Sequence, residues 1–192
     1  MAILVHRYDE PDRFVAGTVG QPGERAFFLQ AREGNRITSV AGEKQQVSVL
    51  AEHHDRVLDE VVRRSTGAAA VPPCSNRTRD TDPLDAPIAE EFRVGTMTIA
   101  WDPSIDRVVI ELFSNVDVEE SEDEADDAVE SEEVNADEVF VVKITAAYAR
   151  DFVARANALV SAGRPPCPFC LQPLDPQGHI CPRANGYRRP LF

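Results

Sequence analysis

Four residues near the C-terminus have the types and spacing of a metal site: Cys167-Pro-Phe-Cys170, then eight residues, then His179-Ile-Cys181. Three thiolates and one imidazole are the donors of a tetrahedral Cys3His zinc centre. A Cys-x-x-Cys knuckle aims two sulfurs at one ion, and Gly178 relaxes the backbone ahead of the second pair. The expected cofactor is a structural zinc held by Cys167, Cys170, His179 and Cys181. Its binding energy, on the order of 10 kcal/mol in small zinc modules, suffices to order a segment with almost no core of its own. His-x-Cys is tighter than the usual second ligand pair, so Cys74 or a water is the competitor for the fourth position. A water-bearing ion would be catalytic rather than structural.

Cys-Pro-Phe-Cys also resembles the active-site dithiol of glutaredoxins. That chemistry needs the first cysteine at a helix N-terminus, where the dipole lowers its pKa. Here Arg164-Pro-Pro precedes the motif and Leu171-Gln-Pro-Leu-Asp-Pro follows it, placing prolines where the helix should run. Cys74-Ser-Asn-Arg-Thr-Arg79 falls one residue short of a cysteine-phosphatase loop, and Asp80 stands where the arginine is required. Cys74 therefore reads as a linker thiol. In His53-His54-Asp55, His54 falls on the apolar stripe of a helix and reads as a partly buried core histidine. No dinucleotide fingerprint, phosphate-binding loop, nucleophile elbow or zinc-protease motif is found in the chain.

The elements that must carry this tail come in two similar runs. Phe14-Val-Ala-Gly17-Thr18-Val19 leads through Gln21-Pro22-Gly23, a type II turn signal, into Arg25 to Gln30 and then Arg36 to Val40. A helix from about 43 to 64 follows, with Val47, Leu50, Val57, Leu58 and Val61 at helical spacing. Phe92-Arg-Val-Gly95-Thr96 repeats the Phe-x-x-Gly-Thr opening, and Asp102-Pro-Ser104 makes a turn. Strands at 107–113 and 139–144 precede a helix at about 146–162 that presents Tyr148, Phe152, Ala156 and Leu159. The expected fold class is α+β: two βββα repeats forming a mainly antiparallel sheet with both helices on one face, plus a zinc-knuckle-like tail. The expected organisation is an α+β domain at 1–162 and a Cys/His-rich tail at 163–192. Within the domain, repeat one spans about 13–64, a proline-containing linker 65–90, and repeat two about 91–162.

The chain has 192 residues, 43% of them hydrophobic, and 33 acidic against 20 basic side chains leave a net charge of −13. Asp117 to Glu138 alone holds 13 acidic residues and no Lys or Arg, so the remainder is neutral. On the repeat alignment this run is an insertion at a hairpin tip, where added length costs about 0.6 kcal/mol per doubling. It reads as a solvated spacer, with a lure for a basic partner as the rival. A charge of this sign disfavours DNA and anionic membranes. The apolar run before His6 is too short for a signal-peptide core and no segment reaches membrane-spanning length, so the expected location is cytoplasmic, with thiols rather than disulfides.

The ending Cys167-Pro-Phe-Cys170, Gly178-His-Ile-Cys181-Pro-Arg183-Ala-Asn-Gly-Tyr187-Arg188, together with the Phe14-x-x-Gly17-Thr18 opening, resembles an uncharacterised family of roughly 190-residue actinobacterial proteins. The resemblance covers nearly the whole chain and implies a bacterial cytoplasmic setting, with no activity attached to it. The leading expectation is a non-enzymatic, zinc-stapled interaction or adaptor module with a protein partner that the sequence does not name. Two other readings stay open: an enzyme, either a metal-assisted hydrolase or a thiol redox catalyst, using the cluster or a cleft between the repeats; and nucleic-acid association through the arginines of 183–189. Oligomeric state is beyond the sequence.

Overall fold

The computed structural model describes residues 3–21, 23–64, 71–72, 80–115, 136–163, 166–174 and 179–183. The elements run β1 (Leu4–Tyr8), β2 (Arg13–Val19), β3 (Ala26–Glu33), β4 (Arg36–Gly42), α1 (Lys44–Arg64), β5 (Glu90–Asp102), β6 (Arg107–Ser114), β7 (Glu138–Ile144) and α2 (Ala146–Ser161). The protein is a mixed α+β structure with a seven-stranded sheet and two helices.

Turn chemistry sets the hairpins. Glu24 N–H donates to the Gln21 carbonyl at 2.9 Å, and Gly23 takes φ +108° at the position of a type II turn that needs it. Ser104 N–H donates to the Asp102 carboxylate at 2.9 Å in the β5–β6 turn. The sheet order is β1-β7-β6-β5-β4-β3-β2. β4–β5 and β1–β7 run parallel and the remaining neighbours antiparallel. Alternation along each strand sends Phe14 and Ala16, Phe27 and Leu29, Ile110 and Leu112, and Phe140 and Val142 into one core with α1 and α2.

The sheet curls strongly. Tyr8 on β1 lies four strands from β4, about 19 Å away if the sheet were flat. Yet its hydroxyl donates to Thr38 Oγ1 at 2.9 Å, and the Phe14 and Phe140 rings are 6.3 Å apart. β1 was not expected. It pairs with a strand more than 130 residues downstream, so no local turn announces it.

α1 buries Val47, Leu50, Ala51, His54 and Leu58. Val57 and Val61, expected on that stripe, are only half-buried, because among the described residues no strand lies over the last turns of the helix. His54 is fully buried rather than partly so. Thr145 caps α2 by accepting from Tyr148 N–H at 3.2 Å, and Ala149, Phe152, Val153 and Ala156 face the core. The two helices run antiparallel: Arg150 near the start of α2 reaches Asp59 toward the end of α1 at 2.8 Å.

Part of the expected linker is a packed strap. Residues 80–88 cross the opposite face of the sheet, where Leu84 is buried against Val15, Phe28 and Ala41. Gly17 makes room for it, since a Cβ there would lie 2.4 Å from Leu84 Cγ. Gln30 clamps the strap from below, donating to the Asp85 carbonyl at 2.9 Å and accepting from Asp85 N–H at 2.8 Å. Arg13, 7% exposed, donates from Nε and Nη2 to the two oxygens of Asp80 at 2.6 and 3.0 Å. Arg155 donates to the same carboxylate at 2.9 Å. The hydrogen bond from Arg13 is the main reason the Asp80 carboxyl is held below its ordinary value. Asp80→Asn keeps one acceptor but removes the charge between two guanidinium groups. It is expected to lower stability by about 2 kcal/mol in urea unfolding, and an unchanged midpoint would show that the latch carries no load.

Candidate metal centre

The knuckle is built from its own backbone. Cys167 N–H donates to the Gln172 carbonyl at 2.8 Å, and Leu171 N–H returns to the Cys167 carbonyl at 2.9 Å. Pro166 and Pro173 form a bridge across the turn. Leu171 takes φ +63°, which reverses the chain immediately after Cys170 and leaves the Cys167 and Cys170 sulfurs on the same side. This reversal replaces the helix that dithiol redox chemistry needs: residues 168–170 are a turn, and no helix follows within the described residues.

The second pair arrives from beyond the knuckle. The ligand atoms of Cys167, Cys170, His179 and Cys181 all lie within 4.8 Å of one another, close enough to hold a metal ion. Cys167 Sγ and Cys181 Sγ are 3.8 Å apart, and Cys170 Sγ is 3.1 Å from His179 Nε2. Two sulfurs at about 2.3 Å from a tetrahedral zinc are about 3.8 Å apart, so the first distance is an edge of that tetrahedron. It is far too long for a disulfide at about 2.05 Å. His179 presents Nε2 to the sulfurs. Its Nδ1 is buried and has no partner among the described residues.

The thiols are unequal. Burial pushes the Cys167 thiol up, but the N–H groups of Cys170 and Phe169 and the neighbouring thiols outweigh it and hold Cys167 below its ordinary value. Cys170 receives the N–H of Gln172, yet burial and the sulfurs of Cys167 and Cys181 push it up. A divalent ion among these sulfurs would favour the thiolate form of each. Cys167 and Cys181 are buried, whereas Phe169, Leu171 and Ile180, each next to a ligand, are 60%, 73% and 84% exposed.

Cys74, the acidic run from 116 to 135 and the arginines beyond 183 lie outside the described residues. The end of that run is visible: Glu138 opens β7, its N–H donates to Ser114 Oγ at 3.1 Å, and its carboxylate meets His6 Nε2 at 2.7 Å. His54 is sealed in the core, away from the cluster.

Sequence reasoning missed a second polar site. A cavity of about 260 Å³ between β2, α2 and the strap is lined by Arg13, Arg32, Asp80, Asp85, Tyr148 and Arg155, among others. Its arginines are committed to its carboxylates: Arg13 to Asp80 and Asp85, Arg32 to Asp85, and Arg155 to Asp80. No cysteine, histidine or serine lines it among the described residues. Arg13 and Asp80 are 67 residues apart, and nothing periodic in the sequence links them.

Among the described residues no helix is long and apolar enough to cross a membrane. Residues 6–181 match the model of one protein family, DUF3090, described as a protein of unknown function. No curated protein and no solved structure matches the chain.

Proposed function

The chain belongs to the DUF3090 family, a family of unknown function, and we propose that it is a non-enzymatic interaction module whose C-terminal knuckle is stapled by a structural zinc ion. The observation that carries the reading is the convergence of three sulfurs and one imidazole nitrogen with a sulfur–sulfur edge of 3.8 Å. Four protein ligands close a tetrahedral site and leave no position for a water, which is the arrangement of structural rather than catalytic zinc. Side chains exposed beside the ligands then sit on backbone that the ion fixes, which is how a short segment becomes a rigid recognition surface. A cluster of reduced thiols fits a cytoplasmic location.

The body at 1–162 serves in this proposal as the scaffold, and a duplication of a βββα unit, at about 13–64 and 91–162, accounts for its architecture. Three features support the duplication. Phe14-x-x-Gly17-Thr18 and Phe92-x-x-Gly95-Thr96 both lie on the first strand of a unit. Both glycines face close contacts, with Leu84 in one case and the Asn115 backbone in the other. The last strand of each unit has a parallel neighbour, β5 beside β4 and β1 beside β7. The acidic run at 117–138 then occupies the β6–β7 tip that corresponds to the short turn around Gly34.

Elemental analysis of untagged protein tests the zinc reading. About one zinc per chain is expected, lost in the Cys167→Ser, Cys170→Ser double variant. Cobalt substitution should give the strong visible absorption of a four-coordinate thiolate site. Metal-free protein with all of its cysteines titratable would overturn the proposal.

A further inference from the structure

The body carries an apolar groove. A cavity of about 1,300 Å³ lies between the last turns of α1 and the β5–β6 turn, floored by Val57, Val61, Val62, Trp101 and Pro103, with Asp106 on its rim. Phe169, Leu171 and Ile180 form the complementary feature, three large apolar side chains held out from the knuckle, and Arg183 lies beside them with its guanidinium on the Phe169 carbonyl at 3.1 Å.

The groove lies toward the N-terminal end of α2, and the knuckle follows its C-terminal end. The helices are antiparallel, so the groove lies beyond the level of Arg150, about 20 Å back along α2 from Gly163. Three residues separate Gly163 from Cys167, four Cα steps that span at most about 14 Å when fully extended. From Cys167 the chain turns on itself through the knuckle rather than continuing outward.

We infer that the knuckle of one copy docks its Phe169, Leu171 and Ile180 side chains into the α1–Trp101 groove of a second copy, and reciprocally, giving a two-fold dimer. This deepens the interaction-module reading and rests on it. Charge supports the docking: Arg183 beside the apolar triplet meets Asp106 on the groove rim. Area supports it as well. The three side chains expose on the order of 400 Å² of surface and the groove about half as much, so two reciprocal contacts bury about 1,200 Å² counting both sides, the lower end of the range for specific interfaces. The contact is isologous, closes on itself, and removes three exposed apolar side chains from water.

Trp101 is the chain's one tryptophan and lines the groove, so its emission reports occupancy directly. The test is sedimentation equilibrium of zinc-loaded full-length protein across a dilution series, with Trp101 emission recorded on the same samples. A dimer of twice the 21.2 kDa chain is expected, with emission shifting to the blue as it forms. Phe169→Asp and Ile180→Asp keep all four metal ligands and should each weaken the dimer about thirtyfold or more while retaining zinc. Val62→Glu, on the groove side, should do the same without touching the knuckle. Zinc-bound protein that stays monomeric with constant emission overturns the inference and leaves the zinc reading standing. So does a dimer indifferent to these variants. A concentration-independent emission shift abolished by Phe169→Asp would place the knuckle in its own chain's groove and overturn the second copy. Protein isolated without zinc fails the underlying reading, and the inference with it.

Discussion

Stripping the metal with a strong chelator is expected to melt the knuckle while the sheet and both helices stay folded. The argument is one of where each part gets its order. The body buries Tyr8, Phe14, Phe140 and Phe152 with a full set of aliphatic neighbours, and none of these touches the cluster. The knuckle buries Cys167 and Cys181, and its three largest apolar side chains are mostly in water. A segment of this kind cannot offset its chain entropy, roughly 1–2 kcal/mol per residue for the backbone, by burial. Metal binding on the order of 10 kcal/mol can. Hydrogen exchange reads the outcome. The amides of Cys167 and Leu171, protected by bonds inside the knuckle, should lose protection on chelation, while those of β6 and β7 keep theirs. Persistent protection at Cys167 and Leu171 without metal would mean that the backbone turn orders itself. Loss of protection throughout would mean that the knuckle braces the body.

The Cys/His cluster, close enough to hold a metal ion, was legible in the sequence because its pattern is local. Cys-x-x-Cys and His-x-Cys are short patterns whose geometry follows from spacing alone, and the prolines around them exclude the competing redox helix. The hairpins were legible for the same reason: Gln21 to Gly23 and Asp102 to Ser104 are turns that announce themselves. What escaped was long-range. β1 finds its place only after β7 exists, and the latch joins Arg13 to Asp80 across 67 positions. The strap reads as linker because a single leucine, Leu84, anchors it, and one apolar residue has no period. Val57 and Val61 misled in an instructive way. Their spacing correctly marks an apolar helix face, but the sheet does not extend over it, so the pattern reports a surface whose cover is not a strand of the body. Periodicity tells which residues avoid water and leaves open what they meet.

Acidification between about pH 6.5 and 4 is expected to lower the stability of the body by about 3 kcal/mol through His54 alone. The imidazole is fully buried on α1, with Nδ1–H donating to the Leu50 carbonyl at 2.7 Å and Nε2 enclosed without a partner among the described residues. Its ring centroid stands 5.1 Å from that of Phe152. Burial pushes its pKa down to about 4, against which the bond to Leu50 and the charge of Asp55 recover only part. As the pH falls through about 6.5 the unfolded chain takes up a proton that the folded chain refuses. The unfolded state is thereby favoured until the folded histidine titrates near 4, and this contribution is flat below that. The carboxylates act in a different window. Asp80, held low chiefly by Arg13, and Asp9, held low chiefly by Lys143, lose their contribution only below about pH 4. Acid unfolding should therefore show two limbs, and His54→Leu should erase the upper one. Leucine has similar volume and removes the enclosed nitrogen, so stability at pH 7 should stay within about 1.5 kcal/mol of the parent. Urea midpoints measured every half unit for both proteins decide the matter. Curves that run parallel from pH 7 to 4 would show that His54 takes up its proton in the fold as readily as in the unfolded chain.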